Sequence, residues 1–285
     1  MAQAAKIGVA ATAAELRAAT EAWRKAGDSI ALIPTMGALH DGHLAHVKAA
    51  AARADKVIVS IFVNPTQFAP TEDFARYPRV FDSDAAKLAS LGKVDLIYAP
   101  KVAEVYPEGF ATKIHIEGPA LGLESDFRPH FFGGVATVVT KLFLHCRPAF
   151  ATFGEKDYQQ LLVVKRLSKD LDLGVEILPV PTVRDSDGLA LSSRNAYLTA
   201  EQRAVAVQLN KVLREVAQRA RAGISIPQAE AEGAASLINA GFDRVDYVAV
   251  REAHTLAPLA TLDGPARVLA AARIGSVRLI DNMPA

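Results

Sequence analysis

The sequence is poor in cysteine, in long apolar runs and in excess charge of either sign. Its single cysteine, Cys146, cannot form an internal disulfide, which indicates a reducing compartment, and its mostly apolar neighbours predict a buried, unreactive thiol. No segment approaches the ~18–20 apolar residues that are needed to cross a bilayer. Lys plus Arg (32) nearly balances Asp plus Glu (31), so no global field favours nucleic acid or an anionic membrane as a partner.

The N-terminal stretch "MAQAAKIGVAATAAELRAAT" lacks the compact apolar core of a signal peptide and carries Lys6, Glu15 and Arg17. It predicts a strand followed by the start of a helix. We therefore expect a cytoplasmic protein.

The first two-thirds of the chain alternates short apolar runs with helical patterns. Strands that are apolar throughout are typical of parallel sheets buried on both faces, and strand–helix repetition predicts a doubly wound, Rossmann-like α/β domain. The predicted strands are residues 30–35, 56–63, 94–100, 149–154 and 175–180, and the predicted helices lie near 43–54, 81–92, 134–146 and 157–169.

The pattern changes after "VPTVRDSDGLALSSRN" (180–195). Thr199 opens a Thr-x-x-Gln capping box, and an amphipathic helix is predicted from there to about Ala222. A second helix at about 227–240 and strands at 245–252, 266–274 and 276–282 complete a smaller α+β unit. We predict two domains, residues 1–182 and 183–285, and expect the second to act as a lid.

The segment "PTMGALHDGH" (34–43) joins the first predicted strand to a helix. In a parallel sheet, ligands bind beyond the carboxyl ends of the strands, and the backbone N–H groups at a helix N-terminus favour phosphate. Gly37 and Gly42 permit close approach by an anion, while His40 and His43 can donate hydrogen bonds to it. A metal site that also uses His46, or a turn with incidental histidines, are the alternatives.

Three further segments carry polar groups that suit a nucleotide and a small acid. "VNPTQF" (63–68) offers Asn64 and Gln67, "FGEKDYQQL" (153–161) offers Lys156 and Gln160, and "LALSSRN" (189–195) offers hydroxyls beside Arg194. Each has a plain structural alternative: a proline turn, a capped helix start and an interdomain linker. Together with the histidine motif they favour a nucleotide enzyme.

These four motifs resemble those of the pantothenate synthetase (pantoate–β-alanine ligase) family of the nucleotidyltransferase superfamily, with "HDGH" similar to the HIGH-type signature and "LSSRN" at the place of the KMSKS-like loop. The resemblance implies an ATP-dependent, Mg²⁺-requiring ligase that joins pantoate to β-alanine through a pantoyl-adenylate, releasing pyrophosphate and AMP, and a homodimer. It places pantoate at Gln67 and Gln160, with Gln67 also facing β-alanine. It places ATP at Met36, Gly37, Ala38, Leu39, His40, Asp41, Gly42, His43, Gly154, Glu155, Lys156, Asp157, Val183, Leu191, Ser192, Ser193 and Arg194.

We assign catalytic roles at the polyphosphate to His40, His43, Lys156 and Arg194, with Mg²⁺ carried mainly by the phosphates. His43 corresponds to the histidine that the family treats as a proton donor, and phosphate contact is expected to favour its cation.

The sequence departs from the family at Leu191, where methionine is common, and in "FRPHFFGGV" (127–135), where the usual pattern is closer to RPGHFRGV. There His130 is shifted by one place and Gly133 replaces a second arginine, although a glycine-rich turn and a helix start can still form. A related cytidylyltransferase and a non-catalytic nucleotide sensor are the alternative functions.

Overall fold

A parallel sheet forms the first part of the fold in the computed structural model, which describes residues 7–70 and 72–285. Its strand order is β1-β4-β3-β2-β5-β6, and each neighbouring pair is parallel. The strands are β1 (Gly8–Ala10), β2 (Ile30–Thr35), β3 (Lys56–Ile61), β4 (Leu96–Tyr98), β5 (Phe150–Gly154) and β6 (Glu176–Val180).

Helices cover both faces of this sheet. The helices of this part of the chain are α1 (Ala13–Ala26), α2 (Asp41–Ala51), α3 (Phe81–Leu91), α4 (Val102–Val105), α5 (Glu124–Phe127), α6 (Phe131–Cys146) and α7 (Tyr158–Asp170). On one face, the buried Ile33, Val59 and Ile97 pack in a cluster with Val47 of α2 and Leu88 of α3.

Tyr98 follows Ile97 and therefore points to the other face, because successive residues of a strand alternate. There its hydroxyl lies 3.2 Å from Nδ1 of His145 on α6. The prediction of a doubly wound parallel sheet is confirmed.

The chain divides into two compact units. The first comprises Met1–Ile116, Arg128–Gly154 and Val163–Val180, and the second comprises Glu117–Phe127, Glu155–Leu162 and Pro181–Ala285. The second unit contains α8 (Ala200–Ala206), α9 (Gln208–Arg221), α10 (Ile226–Asn239) and an antiparallel sheet of β7 (Arg244–Glu252), β8 (Ala266–Ile274) and β9 (Val277–Pro284) in the order β7-β8-β9. Buried aliphatic side chains of the three helices and the sheet form its core.

The Thr199 capping box is present, with the Thr199 hydroxyl accepting from the N–H of Gln202. The single helix predicted from there is wrong in one respect, because it is interrupted at Val207. Val207 keeps helical dihedral angles (φ −60°, ψ −28°), so the interruption is slight.

The other predicted elements lie close to those observed, and the strand and helix start predicted near the N-terminus correspond to β1 and α1. Lys6 lies outside the described residues. Cys146 is fully buried, as predicted, and burial raises the pKa of its thiol to about 12. Within residues 7–70 and 72–285, no helix is long and apolar enough to span a membrane.

Candidate active site

Two histidines cap the first turn of α2, directly after the loop that follows β2. His40 is the N-cap residue, and its Nδ1 accepts from the N–H of Gly42 at 3.2 Å. His43, in the first turn, returns the interaction, because its Nδ1 accepts from the N–H of His40 at 3.3 Å. The ring centroids are 4.2 Å apart. The motif therefore forms a capping box built from histidines, with both imidazoles at the positive end of the helix.

This arrangement fixes where the hydrogens of the two imidazoles lie. A ring nitrogen that accepts a hydrogen bond carries no proton, so each neutral ring carries its hydrogen on Nε2. In the neutral form, His40 and His43 thus each carry an Nε2–H donor at the helix start. The geometry suits neutral donors to an anion.

The loop between β2 and α2 is held by a carboxylate that the sequence analysis missed. Asp84 of α3 is fully buried, and its two oxygens accept from the N–H groups of Ala38 and Leu39, each at 2.8 Å. Lys87, one turn later on α3, donates to the carbonyl of Leu39 at 2.6 Å. These contacts span about 45 residues of sequence and leave no local motif, so no spacing pattern could have predicted them.

The conformation of this loop needs that support. Gly37 (φ +82°) and Ala38 (φ +52°) both adopt left-handed backbone conformations, which cost an alanine roughly 1–2 kcal/mol. A Cβ on Gly37 would lie 3.1 Å from Asp84 Oδ2 and 3.2 Å from Ile61 Cγ2, so the site also has little room for a side chain.

The third histidine of the motif is not placed with the other two. His46 lies one turn further along α2, and its Nδ1 is 3.0 Å from the hydroxyl of Thr152 on β5. Within residues 7–70 and 72–285, no group of three His, Cys, Asp or Glu side chains is placed to hold a metal ion.

Asn64 organises the polar loop after β3. Its Oδ1 accepts from Thr66 N–H and from the hydroxyl of Tyr106, while its Nδ2 donates to Gln67 Oε1 (3.0 Å) and to the carbonyl of Gly134 (3.2 Å). The proline-turn alternative is thus partly right, because Asn64 does cap its own turn. Because Gln67 Oε1 accepts from Asn64, the Nε2 group of Gln67 is the hydrogen-bond donor of that side chain.

Arg128 holds the backbone beneath Gln67. It donates to the Gln67 carbonyl at 2.8 Å and pairs with Glu72 at 2.6 Å and 2.7 Å. Burial alone would raise the pKa of Glu72, but the hydrogen bond and charge of Arg128 outweigh it, so that pKa lies below its usual value.

The unusual "FRPHFFGGV" segment keeps its helix start, as expected, and α6 begins at Phe131, three residues earlier than predicted. Gly134 is required there, because a Cβ would lie within 3 Å of the Thr66 carbonyl oxygen, closer than side-chain carbons approach.

In the second unit, Glu155, Lys156 and Asp157 form a single 3₁₀ turn that leads into α7, and Gly154 ends β5 just before it. The Lys156 ammonium lies 3.7 Å from Oδ1 of Asp157, and the lysine side chain is only 20% exposed.

The two adjacent glutamines of α7 differ. Gln160 is partly exposed, whereas Gln159 is buried and donates to the carbonyls of Pro119 and Gly122. Gln159 is therefore structural, and the binding of pantoate by Gln160 stays a prediction.

The "LSSRN" segment is more ordered than a plain linker. Leu191 N–H donates to the carbonyl of Val183 at 2.9 Å, and Arg184 forms an antiparallel bridge with Ala190. Ser192 then caps a 3₁₀ turn, Ser193–Tyr197, by accepting from Arg194 N–H at 3.2 Å.

Leu189 and Ala190, directly before this segment, are 4% and 5% exposed, whereas residues 191–195 are all partly exposed. The lid function itself stays a prediction.

A doubly wound parallel sheet with helix N-terminal anion donors after its central strand defines an α/β nucleotide-binding enzyme. β2 and β5 are neighbours where the strand order reverses, and their carboxyl ends share one edge of the sheet.

The chain belongs to the pantoate-beta-alanine ligase family, whose sequence model matches residues 8–284. It is 58% identical over 277 residues to the pantothenate synthetase of Nitrobacter hamburgensis, covering 96% of this chain and 97% of the relative. It is 57% identical to that of Rhodopseudomonas palustris over the same length and the same shares of both chains.

Two solved structures resemble the fold over nearly all of both chains. The pantothenate synthetase of Thermus thermophilus superimposes with a TM-score of 0.90 at 47% identity and covers 97% of this chain and 99% of its own. The pantoate-beta-alanine ligase of Francisella tularensis, complexed with beta-gamma ATP and beta-alanine, gives 0.83 at 34% identity and covers 97% of each chain. The predictions of family, fold class and ligase activity are confirmed.

Proposed function

We propose that this ligase uses ATP to convert pantoate into a pantoyl-adenylate, releases pyrophosphate, and then joins the pantoyl group to β-alanine to give pantothenate and AMP. The observation that carries the proposal is the histidine pair at the start of α2, whose Nε2–H donors stand at the positive end of the helix. Polyphosphate oxygens are the acceptors that such a site fits best.

In the first half-reaction, the pantoate carboxylate attacks the α-phosphorus. It is already ionised at neutral pH, so no general base is needed. The obstacle is the approach of one anion to another and the charge that develops on the leaving pyrophosphate. His40 and His43 donate to phosphate oxygens, and Lys156 and Arg194 neutralise charge. Preorganised donors of this kind typically supply about 10²–10³ in rate each.

Pantoate recognition is assigned to Gln67 and Gln160. Asn64 donates to Oε1 of Gln67, so the Nε2 group of Gln67 is the part of the amide that donates. A carboxylate or hydroxyl oxygen of the substrate can accept from it. Gln67 is also assigned to β-alanine. Gln160, which is partly exposed on α7, is proposed to donate to the same substrate.

Mg²⁺ is proposed to arrive on the ATP phosphates, since the described residues include no carboxylate cage for it. Mg²⁺ typically keeps several waters and binds substrate phosphates with few protein ligands, and when bound it neutralises phosphate charge.

In the second half-reaction, the neutral amine of β-alanine attacks the acyl carbon of the adenylate, and AMP leaves. The mixed anhydride is sensitive to water, so keeping it enclosed between the two steps preserves the activated acid.

The test is phosphorus NMR of the products formed from ATP, Mg²⁺ and pantoate, first without and then with β-alanine. We expect pyrophosphate in both reactions. Free AMP should exceed one equivalent per enzyme molecule only in the second reaction. ADP and phosphate would refute adenylation, and CTP-dependent turnover would favour a cytidylyltransferase. ATP binding with no pyrophosphate would favour a nucleotide sensor.

We further propose a homodimer in the cytoplasm. Sedimentation equilibrium of the purified chain and fractionation of the cells that express it test these two statements.

A further inference from the structure

Asn282, near the end of β9, contacts the turn that carries Lys156. It is only 3% exposed, and its Nδ2 donates to the carbonyls of Glu155 (2.9 Å) and Lys156 (2.7 Å). Both hydrogens of the amide are therefore used on two consecutive peptide groups. This fixes the peptide planes on either side of the Lys156 Cα, and with them the direction in which the lysine side chain leaves the backbone.

The orientation of the Asn282 amide is itself fixed. Its Oδ1 accepts from Arg267 Nε at 2.5 Å, so the amide cannot turn over without placing two donors together. Arg267 is 7% exposed, stacks 3.8 Å above the ring of Tyr158, and donates to the Glu155 carboxylate at 3.2 Å. Arg267 thus holds the turn by the Glu155 side chain, whereas Asn282 holds it by two backbone carbonyls.

The preceding residue, Asp281, holds the segment that leads to Leu191–Arg194. Because neighbouring strand residues point to opposite faces, Asp281 reaches the other side of β9. There Arg184 donates to both of its oxygens, at 2.7 Å and 2.8 Å, and also to the carbonyl of Gly188. One strand end therefore anchors both of the second unit's predicted phosphate-binding segments.

We propose that Asn282 is a positioning residue for Lys156. The proposal rests on the proposed function, in which the Lys156 ammonium neutralises phosphate charge. Loss of the two carbonyl contacts would let the turn rotate, and a displacement of about 1 Å at a reacting group can cost about 10²-fold in rate. Asn282 itself needs no contact with substrate.

The sharpest variant is Asn282→Asp, which has the same shape. It keeps an acceptor for Arg267 Nε but replaces the two donated hydrogens with an oxygen that faces two carbonyl oxygens. We expect a loss of roughly 10- to 100-fold in kcat/KM for pantoate-dependent pyrophosphate release. Asn282→Ala, which removes the donors without adding repulsion, covers the case in which the aspartate variant does not fold, and we expect a loss in the same direction.

A double-mutant cycle with Lys156→Ala separates positioning from general damage. If Asn282 acts through Lys156, the substitution at Asn282 costs little more once the lysine is gone. Val216→Ala, in the buried core of the same unit, is the control for lowered stability. We expect it to lower the unfolding midpoint and leave kcat/KM unchanged.

The outcomes are distinct. Wild-type activity of the Asn282 variants, or losses that simply add to that of Lys156→Ala, would overturn the positioning role while leaving the proposed function standing. Near-wild-type activity of Lys156→Ala would overturn the role of the lysine, and the inference with it. Strong non-additivity, with an unaffected Val216→Ala, would support it.

Discussion

Replacing Asp84 by asparagine tests whether the loop before α2 has to be held in its observed conformation. Asp84 accepts two hydrogen bonds from backbone N–H groups, each at 2.8 Å. Bonds to a charged partner are worth roughly 1.5–3 kcal/mol each, and asparagine can keep one as a neutral bond of about 1 kcal/mol. The substitution should therefore remove about 2–5 kcal/mol, and its amide would also face one N–H donor to donor.

This loss has to appear in one of two measurements. If the loop stays closed, the free energy of unfolding falls by that amount. If the loop opens locally, the histidine pair loses its place, and 2 kcal/mol corresponds to a fall of about 30-fold in adenylation. The experiment is urea unfolding together with pantoate-dependent pyrophosphate release.

Asp82→Asn is the matched control, since it removes the same charge from the same first turn of α3 at an exposed position. We expect changes within about 0.5 kcal/mol for it. Wild-type stability combined with wild-type activity in Asp84→Asn would refute the reasoning.

Three further predictions use single substitutions. His43→Ala should lower pyrophosphate release by about 10²–10³, whereas His43→Gln, which keeps an N–H donor, should lose less; equal losses would argue against a donor role. Gln160→Ala should raise the KM for pantoate and change ATP affinity by less than about fivefold, roughly 1 kcal/mol, while Gln159→Ala should lower the unfolding free energy instead; the reverse pattern by calorimetry and urea unfolding would contradict the assignment. Burial and neighbouring cations lower the pKa of His145 below its usual 6.5, so the unfolded chain binds the proton first and stability should fall as the pH drops below about 6.5. His145→Gln should flatten that decline in urea unfolding and the exposed His115→Gln should not, and equal slopes in both would count against the buried histidine.

The strands were predictable because both faces of the parallel sheet are covered. Burial on both sides gives uninterrupted apolar runs, and the β2, β5 and β6 runs lie within one residue of their predicted bounds. The start of α6 was harder, because Gly133 and Gly134 look like helix breakers. Glycine is needed at position 134 because the Thr66 carbonyl occupies the space of a side chain there, and that contact joins segments far apart in the sequence.

The same distinction holds for the candidate site, where local motifs are visible in the sequence and contacts between distant segments are not. The histidine motif follows from a strand, a turn and a helix start, all within ten residues of "PTMGALHDGH". Asp84 on α3 holds the loop before the histidine pair, and Asn282 on β9 holds the Lys156 turn. Each is far away in sequence from the segment that it holds and ordinary in type, so no spacing identifies it. Sequence reasoning proposes residues that would face a ligand more readily than it finds the residues that hold them.

The histidine geometry bears on two chemical roles that the motif alone leaves open. A histidine that protonates the leaving oxygen has to be a cation before the step, with hydrogens on both ring nitrogens. In His40 and His43, Nδ1 accepts from a backbone N–H, so the cation would set two donors against each other and release the first turn of α2. The neutral form keeps the helix cap and carries an Nε2–H at the helix start. Under the proposed function, Lys156, Arg194 and the ion carried by the phosphates then neutralise charge, and the proton-donor role of His43 stays a prediction.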